Sequence, residues 1–229
     1  MAISAAQYAV LQIDMLMRLA GSSSDLDSFI GKPSFAPRVL SALASVPRHE
    51  YVPSEMALKA YGTQALPIGF GKTTSQPFVV AVMLDLLQLD KNDRVLEIGA
   101  GLGYQAALMS HMARQVYTIE VVPGLAAEAQ SRLRRRKLDN VAVKRGDGRL
   151  GWPDHGPFDK ILVTAASDLL SPALLHQLKP GGRMIAPVGR FADQRLSVVT
   201  KAEDGKIAID SVMPVRFSRL TGGTEYFQG

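Results

Sequence analysis

An apolar segment that runs straight into three closely spaced glycines constrains the fold of this chain most. Arg94–Ile98 precedes Gly99, Gly101 and Gly103, and a helix-like sequence begins at Tyr104. Glycines permit a tight turn and let a ligand approach the backbone, because they carry no Cβ atom. In open α/β sheets, ligands bind at the carboxyl end of such a strand, beside the following helix N-terminus. The segment therefore predicts a strand, a binding loop and a helix.

The C-terminal half of the chain alternates between short apolar segments and helix-like segments. Predicted strands cover residues 94–98, 115–119, 141–144, 160–164 and 183–187, and predicted helices cover residues 104–112, 125–137 and 169–178. This alternation is typical of a parallel sheet with helices on both faces. Residues 196–201 and 207–215 predict a hairpin. The predicted fold class is α/β, with a doubly wound, mostly parallel sheet and an antiparallel C-terminal hairpin.

The N-terminal part predicts a helical extension. Predicted helices cover residues 3–20, 37–43 and 77–89, and the serine-rich residues 21–27 predict a loop. We divide the chain into residues 1–90, the extension with a substrate-cleft segment, and residues 91–229, the main α/β domain. We expect the two parts to pack as one structural unit.

The composition excludes several classes of site. The 229 residues include no cysteine, so disulfides, thiolate–metal sites and a cysteine nucleophile are excluded. The four histidines show no spacing typical of metal ligands, and we expect no metal. No apolar run approaches the roughly 18 residues of a membrane helix. We expect a cytoplasmic protein without a membrane partner, and the sequence does not predict its oligomeric state.

The basic residues are concentrated in one run. The formal net charge is +5, and residues 132–137 supply much of the excess. Glu128 and Arg132 are four residues apart, as in an exposed helical ion pair. No aromatic residues interleave with the run, as stacking on single-stranded nucleic acid would require. The run therefore predicts a solvated helix face, and nucleic acid is not the expected partner.

Polar residues follow the second, third and fourth predicted strands. Glu120 ends the second strand, where an acidic residue can accept hydrogen bonds from both ribose hydroxyls. The glycine spacing is G-x-G-x-G and differs from the G-x-G-x-x-G of dinucleotide binders. Asp147, followed by Gly148, either accepts a hydrogen bond from an adenine amino group or forms a simple turn. Thr164 ends the fourth strand, and small alanines follow it. This order predicts a nucleoside cofactor.

Together these segments resemble the Rossmann-like S-adenosylmethionine-dependent methyltransferases, and within them the protein-L-isoaspartate O-methyltransferase family. The resemblance covers roughly residues 37–190. Its segments are residues 46–53, 60–61, 66–69, 73–77, 99–105, 116–120, 146–148, 151–152, 158–166 and 181–189. The resemblance implies the cofactor S-adenosylmethionine and methyl transfer to the α-carboxylate of L-isoaspartyl residues in damaged proteins or peptides, a repair reaction.

The resemblance also implies site residues. The implied catalytic residues are Ser75, whose hydroxyl faces the acceptor, and Thr73 beside it. The implied cofactor-binding residues are Glu97, Gly99, Gly101, Gly103, Tyr104, Gln105, Glu120, Asp147, Gly148 and Thr164. The implied substrate-binding residues are Leu66, Pro67, Ile68, Ser75, Arg216, Phe217 and Ser218.

The residue inventory agrees with this chemistry. A carboxylate has a pKa of about 3.9 and is already ionised at neutral pH, so its methylation needs no general base. Holding the nucleophile, the methyl carbon and the sulfur in line can supply about 7–11 kcal/mol. No catalytic histidine, triad or metal is therefore expected.

Several positions depart from the family pattern and leave two alternatives open. The departures are Thr63, Lys72, Ala100, Leu102, Ser218 and Arg219. One alternative is a methyltransferase of the same fold with another acceptor, such as an aspartate of a biosynthetic peptide or a small molecule. The other is a non-catalytic cofactor-binding or RNA-associated protein.

Overall fold

A computed structural model describes residues 4–190 and 192–222. Within them the chain forms helices on both sides of a central sheet. The helices are α1 (Ala5–Ala20), α2 (Ser23–Ile30), α3 (Pro37–Ser45), α4 (Pro77–Leu87), α5 (Tyr104–Ser110), α6 (Pro123–Arg135) and α7 (Pro172–Gln177). The predicted start of the first helix, at residue 3, and the end of the segment 91–229 lie outside the described residues.

The strands form a small hairpin and a large mixed sheet. Their bounds are β1 (Leu66–Gly69), β2 (Lys72–Thr74), β3 (Arg94–Ile98), β4 (Gln115–Glu120), β5 (Val141–Arg145), β6 (Phe158–Val163), β7 (Leu178–Arg190), β8 (Asp193–Lys201) and β9 (Ile207–Val215). The hairpin pairs β1 with β2, and the sheet order is β5-β4-β3-β6-β7-β8-β9. The strands β3, β4, β5, β6 and β7 are parallel to one another. β8 is antiparallel to β7, and β9 is antiparallel to β8. The predicted fold class is confirmed.

The strand order places a ligand site after β3. The chain continues from β3 to β4 on one side and later returns to β6 on the other side. At such a switch point the connections leave in opposite directions, and a crevice opens at the carboxyl ends of the strands. The glycine loop, residues 99–103, lies at this point.

Apolar side chains cover both faces of the sheet. Successive residues of β3 belong to different hydrophobic clusters, because side chains alternate along a strand. Val95 packs in the cluster beneath α3, α4 and α5, whereas Leu96 and Ile98 pack in the cluster beneath α7. The first cluster also includes Met15 of α1, so the N-terminal helices share the core of the main domain. This hydrophobic cluster includes residues from both sides of residue 90. The predicted division into two parts at that residue therefore stays a prediction.

One prediction of local structure is wrong, and one element was not predicted. The serine-rich residues 21–27 are not a loop throughout, because α2 (Ser23–Ile30) begins within them and is capped by Gly31 in the left-handed conformation. Asp25 in the first turn suits the positive helix N-terminus, and Leu26 is buried against the core. The hairpin β1–β2 was not predicted, because it consists of only four and three residues.

Three further features bear on the predicted partners and metal sites. Among the described residues, no helix combines the length and apolarity that crossing a membrane requires. No group of three or more potential metal ligands occurs among them either. The basic run is less solvated than predicted at Arg132, whose side chain is 17% exposed and pairs with Glu128 at 3.3 Å. Arg132 also donates to the Glu50 carbonyl.

Candidate functional site

A cavity of about 730 Å³ opens at the carboxyl ends of β3, β4 and β6. Much of its lining comes from three groups of residues. They are the glycine loop with Glu120, the hairpin β1–β2 with the residues directly after it, and the segment that follows β9. The predicted site residues in its lining are Ile68, Thr73, Ser75, Glu97, Gly99, Gly101, Tyr104, Gln105, Glu120, Gly148, Thr164, Arg216, Phe217 and Ser218. One cavity therefore contains predicted cofactor, catalytic and acceptor residues.

The glycine loop is packed so closely that two positions require glycine. Gly99 has φ 96°, and a Cβ atom there would lie 2.3 Å from the Thr164 hydroxyl oxygen. That hydroxyl donates to the Gly99 carbonyl at 2.7 Å. Gly101 has φ 56°, and a Cβ atom would lie 3.2 Å from Cδ1 of Ile68 in the hairpin. The loop thus leaves backbone atoms facing the cavity.

Glu120 closes the loop from the adjacent strand. Its carboxylate accepts from the Gly101 amide at 2.8 Å and from the Val122 amide at 3.0 Å. Burial raises the pKa of Glu120, and these amide donors and the charge of Lys72 oppose that rise. Each carboxylate oxygen can accept a further hydrogen bond. Glu120 can therefore accept from the hydroxyls of a bound nucleoside.

Glu97 is the second carboxyl group at the cavity. It is fully buried and accepts a hydrogen bond from the Thr118 hydroxyl of the neighbouring strand. Burial, with a smaller contribution from the charge of Glu120, raises the pKa of Glu97 to about 8. Its Oε1 atom has no hydrogen-bond partner among the described residues. A buried oxygen without a partner is costly, so this atom suits a cationic or hydrogen-bonding ligand group.

The hairpin β1–β2 covers one side of the cavity. Thr73 pairs with Pro67, and Ser75 follows the hairpin with its side chain half-buried. Phe70 at the tip lies against Gly124 of α6, where a Cβ atom would come within 2.3 Å of its ring. None of the four histidines lines the cavity, and Ser75 has no histidine beside it there.

The segment after β9 forms another wall of the cavity. The Ser218 carbonyl accepts from the Ala166 amide at 2.8 Å, which ties this segment to the end of β6. Phe217 exchanges two hydrogen bonds with the Gln194 side chain, at 2.7 and 3.2 Å. These bonds fix the backbone of residues 217–218 beside the cavity, and Arg219 also lines it.

Four predicted site residues do not line the cavity. Asp147 lies just outside, and its carboxylate accepts from the Arg149 guanidinium at 2.7 Å and from the Arg149 amide at 2.9 Å. Gly103 packs against Leu133 of α6. Leu66 is buried in the core, whereas Pro67 is exposed on the outer side of the hairpin. The roles assigned to these residues stay predictions.

The sequence did not indicate several residues of the cavity. Asp25 and Phe29 of α2 line it, although this stretch was expected to be partly a loop. Tyr51 lines it from a 3-10 turn. Among the departures, Lys72, Ala100 and Leu102 line the cavity, whereas Thr63 does not. The Asp25 and Phe29 positions are four apart on one helix face, which a helical reading of this stretch would have revealed.

A family model matches most of the chain. It is described as protein-L-isoaspartate(D-aspartate) O-methyltransferase, and the match covers residues 32–225. Protein-L-isoaspartate O-methyltransferase 1 of a Polaromonas species is 47% identical over 213 residues, which are 93% of this chain and 90% of that protein.

Solved structures agree with this similarity. One protein-L-isoaspartate O-methyltransferase superposes with a TM-score of 0.77 at 27% identity, over 93% of this chain and 66% of that one. This chain therefore spans slightly less than two thirds of that protein. A Plasmodium falciparum protein of the same description, in complex with S-adenosyl-L-homocysteine, has a TM-score of 0.75 at 22% identity, over 93% and 98% of the two chains. At this identity the second comparison establishes the shared fold.

Proposed function

Because the chain belongs to the protein-L-isoaspartate(D-aspartate) O-methyltransferase family, we propose that it methylates the α-carboxylate of L-isoaspartyl residues with S-adenosylmethionine. One observation carries the proposal: a single cavity joins the glycine loop and Glu120 to Ser75 and the backbone of residues 217–218. A cofactor at the first pair of features would thus lie next to an acceptor at the second pair.

The cavity residues fit this cofactor. Glycine at positions 99 and 101 keeps the backbone accessible, and Glu120 retains free acceptor capacity for a ribose. The unpartnered Glu97 Oε1 offers a buried acceptor for the amino group of the methionine part. When bound, S-adenosylmethionine supplies an electrophilic methyl group on a sulfonium.

Ser75 and the segment after β9 would orient the acceptor. The Ser75 hydroxyl can donate to a carboxylate oxygen, and the backbone of residues 217–218 is fixed at the same cavity. The acceptor carboxylate is already ionised, so no side chain of this chain has to remove a proton. The site acts by orientation, which keeps the attacking oxygen in line with the methyl carbon.

Exclusion of water also assists the reaction. A negative oxygen approaches a positive sulfonium, and both charges disappear in the products. Water solvates the charged reactants more strongly than the transition state, in which the charges are partly lost. A partly enclosed cavity that excludes water therefore lowers the barrier. The product ester then closes to a succinimide without the enzyme, as the following backbone nitrogen displaces methanol, and hydrolysis returns part of the succinimide to normal aspartate.

Labelled methyl transfer tests the proposal. The protein is incubated with methyl-labelled S-adenosylmethionine and paired peptides that differ only in an isoaspartyl or an aspartyl residue. We expect base-labile label on the isoaspartyl peptide alone. Label on both peptides, or on neither, contradicts the proposed acceptor.

The same assay addresses a second candidate function, methylation of a different carboxylate. Lys72, Ser218 and Arg219 line the cavity and depart from the family pattern, which favours this candidate. Transfer to a small carboxylate or to an aspartyl peptide, with no transfer to the isoaspartyl peptide, would support it. A cytoplasmic location stays a prediction, for which cell fractionation is the test.

A further inference from the structure

Arg48 is a buried cation beside the site. It opens the 3-10 turn Arg48–Tyr51, and its exposed fraction is 0%. No carboxylate of the described residues forms an ion pair with it. Burying a charge without a charged partner costs free energy, and hydrogen bonds to neutral carbonyls offset only part of that cost. The contacts that the guanidinium makes therefore need examination.

The guanidinium joins three segments that surround the cavity. Its Nε atom donates to the Ala60 carbonyl at 2.8 Å, and its Nη2 atom donates to the Ser75 carbonyl at 2.6 Å. Its Cζ atom lies 4.8 Å from the centre of the Tyr104 ring. Tyr104 is the first residue of α5, directly after the glycine loop. A planar guanidinium can make these contacts at once, whereas an ammonium group cannot.

Ser75, Tyr104 and Tyr51 line the cavity, but Arg48 itself does not. Arg48 can therefore act on a bound molecule only through these neighbours. Its Nη1 atom and the Tyr104 hydroxyl have no hydrogen-bond partner of normal geometry among the described residues. The contacts made are thus those that fix the Ser75 backbone relative to the Tyr104 ring.

We propose that Arg48 is a positioning residue for methyl transfer, which holds the acceptor side of the cavity, at Ser75, in register with the cofactor side, at Tyr104. This inference rests on the proposed function. It explains why a costly buried cation occupies the position, since in-line transfer depends strongly on the relative placement of the reacting groups. A displacement of about 1 Å can reduce the rate on the order of a hundredfold.

Two substitutions separate the geometry from the charge. Arg48→Lys keeps a cation but loses the planar fork, and Arg48→Met keeps the length but loses both. We expect kcat/KM for the isoaspartyl peptide to fall about tenfold in Arg48→Lys and about a hundredfold in Arg48→Met. The main effect should be on kcat, and the Kd of S-adenosylmethionine should change by less than about threefold, since Arg48 does not line the cavity.

A matched control accounts for lost stability. Asp85 of α4 is also a buried charged residue, which accepts from Lys32 and from the Ala36 amide at 2.7 Å. It does not line the cavity. We expect Asp85→Asn to lower Tm while kcat/KM per folded molecule stays at the parental value. Rates are measured well below the Tm of each variant.

Hydrogen exchange of the parent and Arg48→Lys provides a readout independent of turnover. We expect faster amide exchange in residues 72–76 of the variant, with unchanged exchange in β4 and β6. Parental kcat in Arg48→Lys, or a loss that Asp85→Asn reproduces at equal Tm, would overturn the inference. If Arg48→Met does not fold, Arg48→Lys decides alone. If the parent is inactive but residues 72–76 exchange faster in Arg48→Lys than in the parent, the proposed function is contradicted and the positional contact of Arg48 stands.

Discussion

The Gly101 amide donates a hydrogen bond to the Glu120 carboxylate at 2.8 Å, so the loop after β3 is tied to the end of β4. This bond joins the two features that the sequence associates with a nucleoside. Glu120 thus has a structural partner and free acceptor capacity in the same group.

Replacing Glu120 should weaken cofactor binding more than it slows transfer. A hydrogen bond to a charged group contributes about 1.5–3 kcal/mol, so we expect Glu120→Ala to raise the Kd of S-adenosylmethionine roughly tenfold to a hundredfold. Isothermal titration calorimetry measures this change. Glu128→Ala, which removes an exposed carboxylate on α6, is the control and should bind like the parent. Equal Kd values for both variants would refute the assignment of Glu120.

Removing the Ser75 hydroxyl should slow methyl transfer more than it weakens cofactor binding. We expect Ser75→Ala to lower kcat about tenfold, because one oriented donor to the acceptor is lost, while the Kd of the cofactor stays nearly unchanged. Steady-state kinetics with the isoaspartyl peptide provide the measurement. Ser45→Ala, on the exposed side of α3, is the control. A variant of Ser75 with parental kcat and KM shows that this hydroxyl does not contact the acceptor.

A methyl group at position 99 should disrupt the binding loop. A Cβ atom there would lie 2.3 Å from the Thr164 hydroxyl oxygen, so the loop or β6 must move. We expect Gly99→Ala to raise the Kd of the cofactor more than about tenfold. Gly205→Ala controls for backbone strain, because Gly205 has φ 83° and no atom within 4 Å of an added Cβ. It should cost about 1–2 kcal/mol of unfolding free energy and leave binding intact; a similar Kd for both variants would contradict the steric argument.

Cofactor affinity should depend on pH through Glu97. Burial raises the pKa of this carboxyl to about 8, so it is mostly protonated at neutral pH in the free protein. A cationic cofactor favours the ionised form of Glu97, so the Glu97 carboxyl releases a proton when the cofactor binds. Affinity should therefore rise from about pH 6 and level off above the free-state pKa.

Calorimetry in buffers of different ionisation enthalpy measures this proton release. Glu120 also faces the cavity, and burial raises its pKa too, so the parent alone does not identify the group. Glu97→Gln keeps the shape of the protonated carboxyl and should lose most of the pH dependence. An unchanged profile in this variant assigns the proton to another group.

Local sequence patterns determined the α/β class, the central strands and most of the cofactor side of the cavity. The glycines directly follow β3, and Glu120 ends β4, the next strand in the chain; both strands have a distinct apolar pattern. Gly99 and Glu120 could therefore be identified without knowing how the sheet is ordered. Ser75 and residues 216–218 came from the family resemblance, since nothing in their local sequence indicates a cleft.

The tertiary structure alone brought together residues that are far apart in sequence. It placed α2, with Asp25 and Phe29, beside β9 and at the cavity, and it turned Arg48 towards the Ser75 carbonyl, 27 residues away. These arrangements depend on how helices and loops pack over the sheet, which a short stretch of sequence does not encode. Packing likewise buried Glu97 and raised its pKa, because the same carboxyl would titrate normally in an exposed strand.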